Sequence, residues 1–224
     1  MLNKVKSQPY LKVIYFITIF VATQNLGGCS DRVNNVTSGN LSGTLHWGNG
    51  TEPQSLDPHI ATGVPEHHII SALMEGLVFK DKETLEPRPG VAESWDISED
   101  GRVYTFYLRK NARWSNGDPH NAHDYVWSWW RALQPGLGNL YAYMYFPIEN
   151  SKAYYDGEID DFAQVGVKAL DDFTLQVRLA NPTPYFLQLL DHYSTFPVHR
   201  ATVEKFGSAD QRGTRWTYEG NIVG

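Results

Sequence analysis

A single cysteine, Cys29, is the only thiol in 224 residues. No disulfide can form within the chain, and metal sites built on several cysteines are excluded. Basic residues are also in deficit: 19 Lys and Arg stand against 25 Asp and Glu, a formal net charge of −6. The first 29 residues contain Lys4, Lys6 and Lys12 and no acid, so the rest of the chain is more acidic still. That balance argues against nucleic acid as a partner, because phosphate neutralisation needs a basic face. Long apolar runs are missing too. Val13 to Ala22 is a run of about ten residues, where a transmembrane helix needs about 20. Catalytic signatures are absent: there is no G-x-S-x-G, no phosphate-binding G-x-x-x-x-G-K-[ST], no G-x-G-x-x-G and no H-E-x-x-H. What is abundant is aromatic and apolar: 13% Phe, Trp and Tyr within 42% hydrophobic residues, a composition that folds around a core.

The short apolar run has the size of a signal-peptide core behind a basic start. Leu26-Gly27-Gly28-Cys29 follows and resembles the bacterial lipobox, in which the cysteine is lipidated and the signal is cut before it. Residues 1–28 are therefore expected to be a lipoprotein signal peptide and Cys29 a lipidation site. Residues 29–43, rich in Ser, Asn and Gly, read as a flexible tether. Residues 44–224 form the binding domain in this reading.

Along that domain, Thr44-Leu-His-Trp-Gly48 reads as a short strand. Pro65 opens a helix with a stripe of Ile69, Ile70, Leu73, Met74 and Leu77. Trp95 to Leu108 reads as a β-hairpin turning at Asp100-Gly101. Asn121 is a helix N-cap with Asp124 three residues on, ahead of Tyr125, Val126, Trp129, Trp130 and Leu133 on one face. Phe173, Leu175, Val177 and Leu179 alternate with polar residues as a half-buried strand, and 185–190 and 200–206 read as short helices. The class is mixed α+β with long turn-rich connections and no regular βαβ alternation.

The chemistry-bearing residues do not assemble into a catalytic set. His67 and His68 are adjacent, so on a helix they diverge and read as solvated. His120 and His123 flank a helix start and lack a third ligand, so no metal is expected. Asp160-Asp161 and Asp171-Asp172 read as turn formers rather than carboxylates facing across a cleft.

From Glu52-Pro-Gln-Ser-Leu-Asp-Pro-His59 onward, the chain resembles the bacterial periplasmic oligopeptide-binding proteins, solute receptors of peptide ABC importers. The resemblance runs through Gly63-Val-Pro-Glu66, Pro89-Gly-Val-Ala-Glu-Ser-Trp95, Trp114-Ser-Asn-Gly-Asp-Pro119, Gly166-Val-Lys-Ala-Leu-Asp-Asp172 and Val203-Glu-Lys-Phe-Gly207. It implies a periplasmic-binding-protein-like fold (type II, cluster C), two-lobed with an extra small domain. Of that fold, these residues are expected to be a partial first lobe plus the extra domain, with the second lobe absent. It further implies a monomeric receptor without enzymatic activity or cofactor, at the periplasm or cell surface. Its partners would be an oligopeptide, the permease subunits and, through Cys29, the membrane. Thr62, Gly63 and Val64 match the loop that bonds ligand main chain, Tyr141 a ligand-contacting aromatic, and His192 a pocket-lining histidine. Receptors of the same fold for dipeptides, murein peptides, nickel complexes or haem are the alternatives, together with a surface lipoprotein that binds nothing.

Overall fold

The computed structural model describes residues 34–224. The signal peptide and Cys29 expected from the sequence lie outside the described residues. The chain divides into two compact units, Met1–Gly48 and Asn49–Gly224.

In the first unit, helix α1 spans Asn35–Ser42. This corrects the flexible reading of 29–43 over those eight residues. Asn and Gly mark coil by composition, but they also terminate helices. Here Asn34 Oδ1 accepts from the amide of Thr37 at 2.8 Å, and Gly43 closes the helix in the left-handed region at φ 69°. The strand expected at Thr44–Gly48 does not form: those residues pair with no strand among the described residues. Alternation alone does not make a strand without a partner to complete its ladder.

The second unit opens with helix α2, Val64–Leu73. Strands β1 (Val78–Lys80) and β2 (Pro87–Pro89) form a small antiparallel ribbon. Strands β3 (Ala92–Ile97), β4 (Val103–Leu108), β5 (Val167–Asp171) and β6 (Thr174–Arg178) form an antiparallel sheet in the order β3-β4-β6-β5. Helix α3 (Ala122–Ala132) packs against β5 and β6. Short helices α4 (Ser151–Tyr155), α5 (Phe186–Leu189) and α6 (Arg200–Phe206) complete the unit. No described helix is long and apolar enough to cross a membrane.

Period-two alternation places Tyr104, Phe106 and Leu108 of β4 and Leu175 and Val177 of β6 on one sheet face. That face buries Tyr125, Trp129 and Leu133 of α3. Asn121 and Asp124 form a capping box at the start of α3, each side chain bonding the other's backbone region. Gly101 turns the β3–β4 hairpin at φ 67°.

A second core gathers Ile70, Met74, Tyr193, Phe196, Val198, Val203 and Trp216. The stripe expected on α2 is shorter than its sequence pattern. The helix stops at Leu73, which is exposed, and Met74 turns extended. Leu77 reaches the first core from beyond the helix. Gly76 makes that exit possible: a Cβ there would lie 2.7 Å from the Phe196 ring.

Candidate functional site

The segment from Asp57 to Val64 is shaped by its own hydrogen bonds. The Asp57 carbonyl accepts from the amides of Ile60 and Ala61 at 3.1 and 2.9 Å, and its carboxylate accepts from His59 N at 3.1 Å. Beneath it lies a buried ion pair. Arg131 of α3 grips both Asp57 oxygens, at 3.0 and 2.6 Å, and donates to His59 Nδ1 at 2.8 Å. Its Nε donates to the Ala209 carbonyl at 2.8 Å.

An Nδ1 that accepts from Arg131 fixes the proton of neutral His59 on Nε2, which donates to the Phe196 carbonyl at 3.0 Å. Burial pushes the Asp57 carboxyl up, but the Arg131 guanidinium overrides it and holds the group below its ordinary range. Burial, then Arg131, holds His59 at about 4, so it is neutral.

Gly63 caps α2, and a Cβ there would lie 2.0 Å from Glu66 Oε2. Glu66 folds back over the helix start and accepts from the amide of Gln54 at 2.7 Å. The helix start also presents backbone N–H groups without intrahelical acceptors. A cavity of about 750 Å³ opens beside this loop, lined by Gln54, Thr62, Gly63, Glu66, Arg212 and Tyr218 among others.

Two tyrosines hold the loop from outside. Tyr141 Oη donates to the Thr62 carbonyl at 3.2 Å and Tyr193 Oη to the Ala61 carbonyl at 3.0 Å. Tyr141 meets the ring of His192 edge-on with centroids 4.6 Å apart. His192 stacks on Tyr193 at 4.4 Å, and Tyr193 packs edge-on to Tyr141 at 6.0 Å. The supporting chain is tied to α3, where Trp129 Nε1 donates to the Thr195 carbonyl at 2.9 Å. Ser128 Oγ also accepts from the amide of Val198 at 2.9 Å. Burial, then the nearby His67, holds His192 at about 4.

The structure thus brings Thr62, Gly63, Tyr141 and His192 onto one ledge from three distant segments. Val64 belongs to the same loop with an exposed side chain. The residue at the centre, Tyr193, was not singled out in the sequence, nor was the Asp57–His59–Arg131 support. Arg131 carried a usable signal: a charge among the buried residues of an aromatic helix demands a buried partner.

His67 is exposed on its helix as expected, and its ring also packs on Tyr193 at 5.5 Å. His120 is buried between Trp114 and Tyr125, with centroids 4.5 and 5.3 Å away, whereas His123 is exposed beside Asp172. The two therefore diverge, and no group of three or more His, Cys, Asp or Glu among the described residues could hold a metal. Asp161 and Asp171 cap the turns that follow them.

Residues 86–224 match the model of the bacterial extracellular solute-binding proteins, family 5 Middle. The periplasmic oligopeptide-binding protein OppA of Escherichia coli is 47% identical over 182 residues, covering 80% of this chain and 32% of that protein. The Haemophilus influenzae OppA structure, in complex with RPPGFSPFR, superposes with a TM-score of 0.71 at 43% identity, over 79% of this chain and 33% of that one. The unliganded open form of the periplasmic murein tripeptide-binding protein MppA gives a TM-score of 0.70 at 41% identity, over 77% and 32%. The chain spans about a third of the length of the relatives it matches.

Proposed function

Because the chain belongs to the bacterial extracellular solute-binding proteins of family 5, we propose that it forms part of the peptide-binding cleft of an ABC-importer receptor, and that it is not an enzyme. The observation that carries this reading is the ledge itself. The Tyr141 hydroxyl fixes the Thr62 carbonyl, and the His192 ring packs on the Tyr141 ring. Around it lie the exposed backbone of Thr62-Gly63-Val64 and the first N–H groups of α2, the partners that an added peptide strand uses. Backbone groups are common to all peptides, and water fills the remaining contacts, so such a site tolerates varied side chains.

A cleft ligand buries most of its surface only when enclosed. The 224 residues alone are therefore expected to hold tri- to pentapeptides with about millimolar affinity, read by NMR shift changes at Tyr141 and His192. Tyr141→Ala should weaken this about tenfold. The reading fails if no peptide shifts these residues at millimolar concentration, or if Tyr141→Ala leaves the titration unchanged.

The same reading places a monomeric receptor in the periplasm or at the cell surface, handing peptide to permease subunits. Cys29, lipidated after cleavage behind Leu26-Gly27-Gly28, would hold it to the membrane, with the residues from Ser30 to Gly43 as spacer. Metabolic labelling with a fatty acid in a bacterial host is expected to mark the chain, and Cys29→Ser to abolish the label. Equal labelling of the two would remove the anchor from the proposal.

A further inference from the structure

Tyr193 brings two imidazoles together at the rim of the ledge. His67, on the first turn of α2, packs on it at 5.5 Å, and His192 stacks on it at 4.4 Å. We propose that His67 and His192 form a carboxylate-recognising pair that selects peptides bearing an acidic side chain. The proposal rests on the peptide-binding reading above.

One carboxylate acts on the pair, that of Asp191, which favours protonated His192. Asp191 is engaged by Lys80, whose amide donates to it at 2.8 Å and whose Nζ lies 3.4 Å away. Glu66 is buried, with one oxygen accepting from Gln54 N and the other against Gly63. The hydroxyls of Tyr141 and Tyr193 donate to the carbonyls of Thr62 and Ala61.

His192 is also preset as a donor. Its Nδ1 accepts from the amide of Ser194 at 3.2 Å, so in the neutral ring the proton sits on Nε2. An incoming carboxylate meets the Nε2–H of His192, with Asp191 already held by Lys80.

The pair is linked to protons in a definite direction. His192 is held neutral down to about pH 4 by burial and by its proximity to His67. A carboxylate bound beside the two rings favours the imidazolium form, so an acidic ligand is bound with proton uptake. Selectivity for the acidic ligand therefore grows as the pH falls.

Two blocked peptides, Ala-Glu-Ala and Ala-Gln-Ala, share one main chain and differ by a single charge. NMR titration of the intact chain is expected to show the Glu peptide binding about tenfold tighter near pH 5.5 and within about twofold near pH 8. The His192 midpoint should rise from about 4 only with the Glu peptide. His67→Asn should bring the two peptides to parity without weakening the Gln peptide, and His192→Asn should remove the pH dependence of the Glu-to-Gln affinity ratio, neither of which a merely structural role would do. Parity in the unmodified chain, with both peptides still shifting Tyr141, overturns the pair and leaves the peptide site standing. Preference retained in both variants also overturns it. No response to either peptide overturns this inference and the peptide reading together.

Discussion

Replacing Arg131 with alanine is expected to remove about 3–5 kcal/mol of stability, the cost of stranding a buried charge. Arg131 is fully buried and Asp57 nearly so. Without the guanidinium, the Asp57 carboxylate loses both of its strongest bonds in a place water does not reach, and His59 Nδ1 loses its donor. Asp57→Ala strands the cation instead. Because the two single changes break the same interaction, the double variant should lose clearly less than their sum.

Urea midpoints of the three variants, at constant m, measure this. A loss below about 1 kcal/mol for Arg131→Ala would show that the pair adds nothing beyond an exposed bridge. The effect also reaches the ledge, because the Asp57 carbonyl holds Ala61, whose own carbonyl anchors Tyr193. Peptide affinity should fall in Arg131→Ala even under conditions where the chain stays folded.

That dependence explains which parts of the molecule are readable in a bare sequence. Alternation in β4 and β6, the Asn121–Asp124 box and the hairpin at Asp100-Gly101 are local, and each is written within a dozen residues. The resemblance picked out Thr62, Tyr141 and His192, and the fold does set them side by side. It did not reveal Tyr193, which touches Tyr141, His192 and the Ala61 carbonyl beside Thr62. A tyrosine next to a histidine carries no spacing signal, and its role exists only once residues 61, 141 and 192 meet.

Long-range pairing also defeated the strand at Thr44–Gly48, which has the pattern of a strand but no partner among the described residues. The helix Asn35–Ser42 was missed for the opposite reason. Its signal is local, but Asn and Gly mark coil by composition as readily as they form the two caps of a helix.

Acidification from pH 6.5 towards 4 is expected to destabilise the chain by several kcal/mol, with the loss beginning above the range in which unfolded carboxylates titrate. His59 and His120 are buried and sit at about 4 in the folded chain, against 6.5 when unfolded. Burial is the first cause in both, joined by the Arg131 cation for His59 and by His199 for His120. A lowered folded value means that the unfolded chain takes up protons the native one refuses. The contribution is complete above pH 6.5 and drains away as the pH falls to about 4. Each fully buried imidazole contributes a slope of about 1.4 kcal/mol per pH unit and a total of about 3 kcal/mol at most.

His192 adds in the same direction, but less, because it is partly solvated. Asp124, raised by burial, works against the trend only at the acid end. His120 offers the clean test. Its Nε2 and the Tyr125 hydroxyl are buried without a hydrogen-bond partner among the described residues. Exchanging His120 for valine should therefore be neutral or stabilising at pH 7, while flattening the acid limb by about one proton. Urea midpoints measured from about pH 7 to 4.5 decide it. A flat profile in the unmodified chain, or an unchanged slope in His120→Val, would mean that these imidazoles are already charged in the fold.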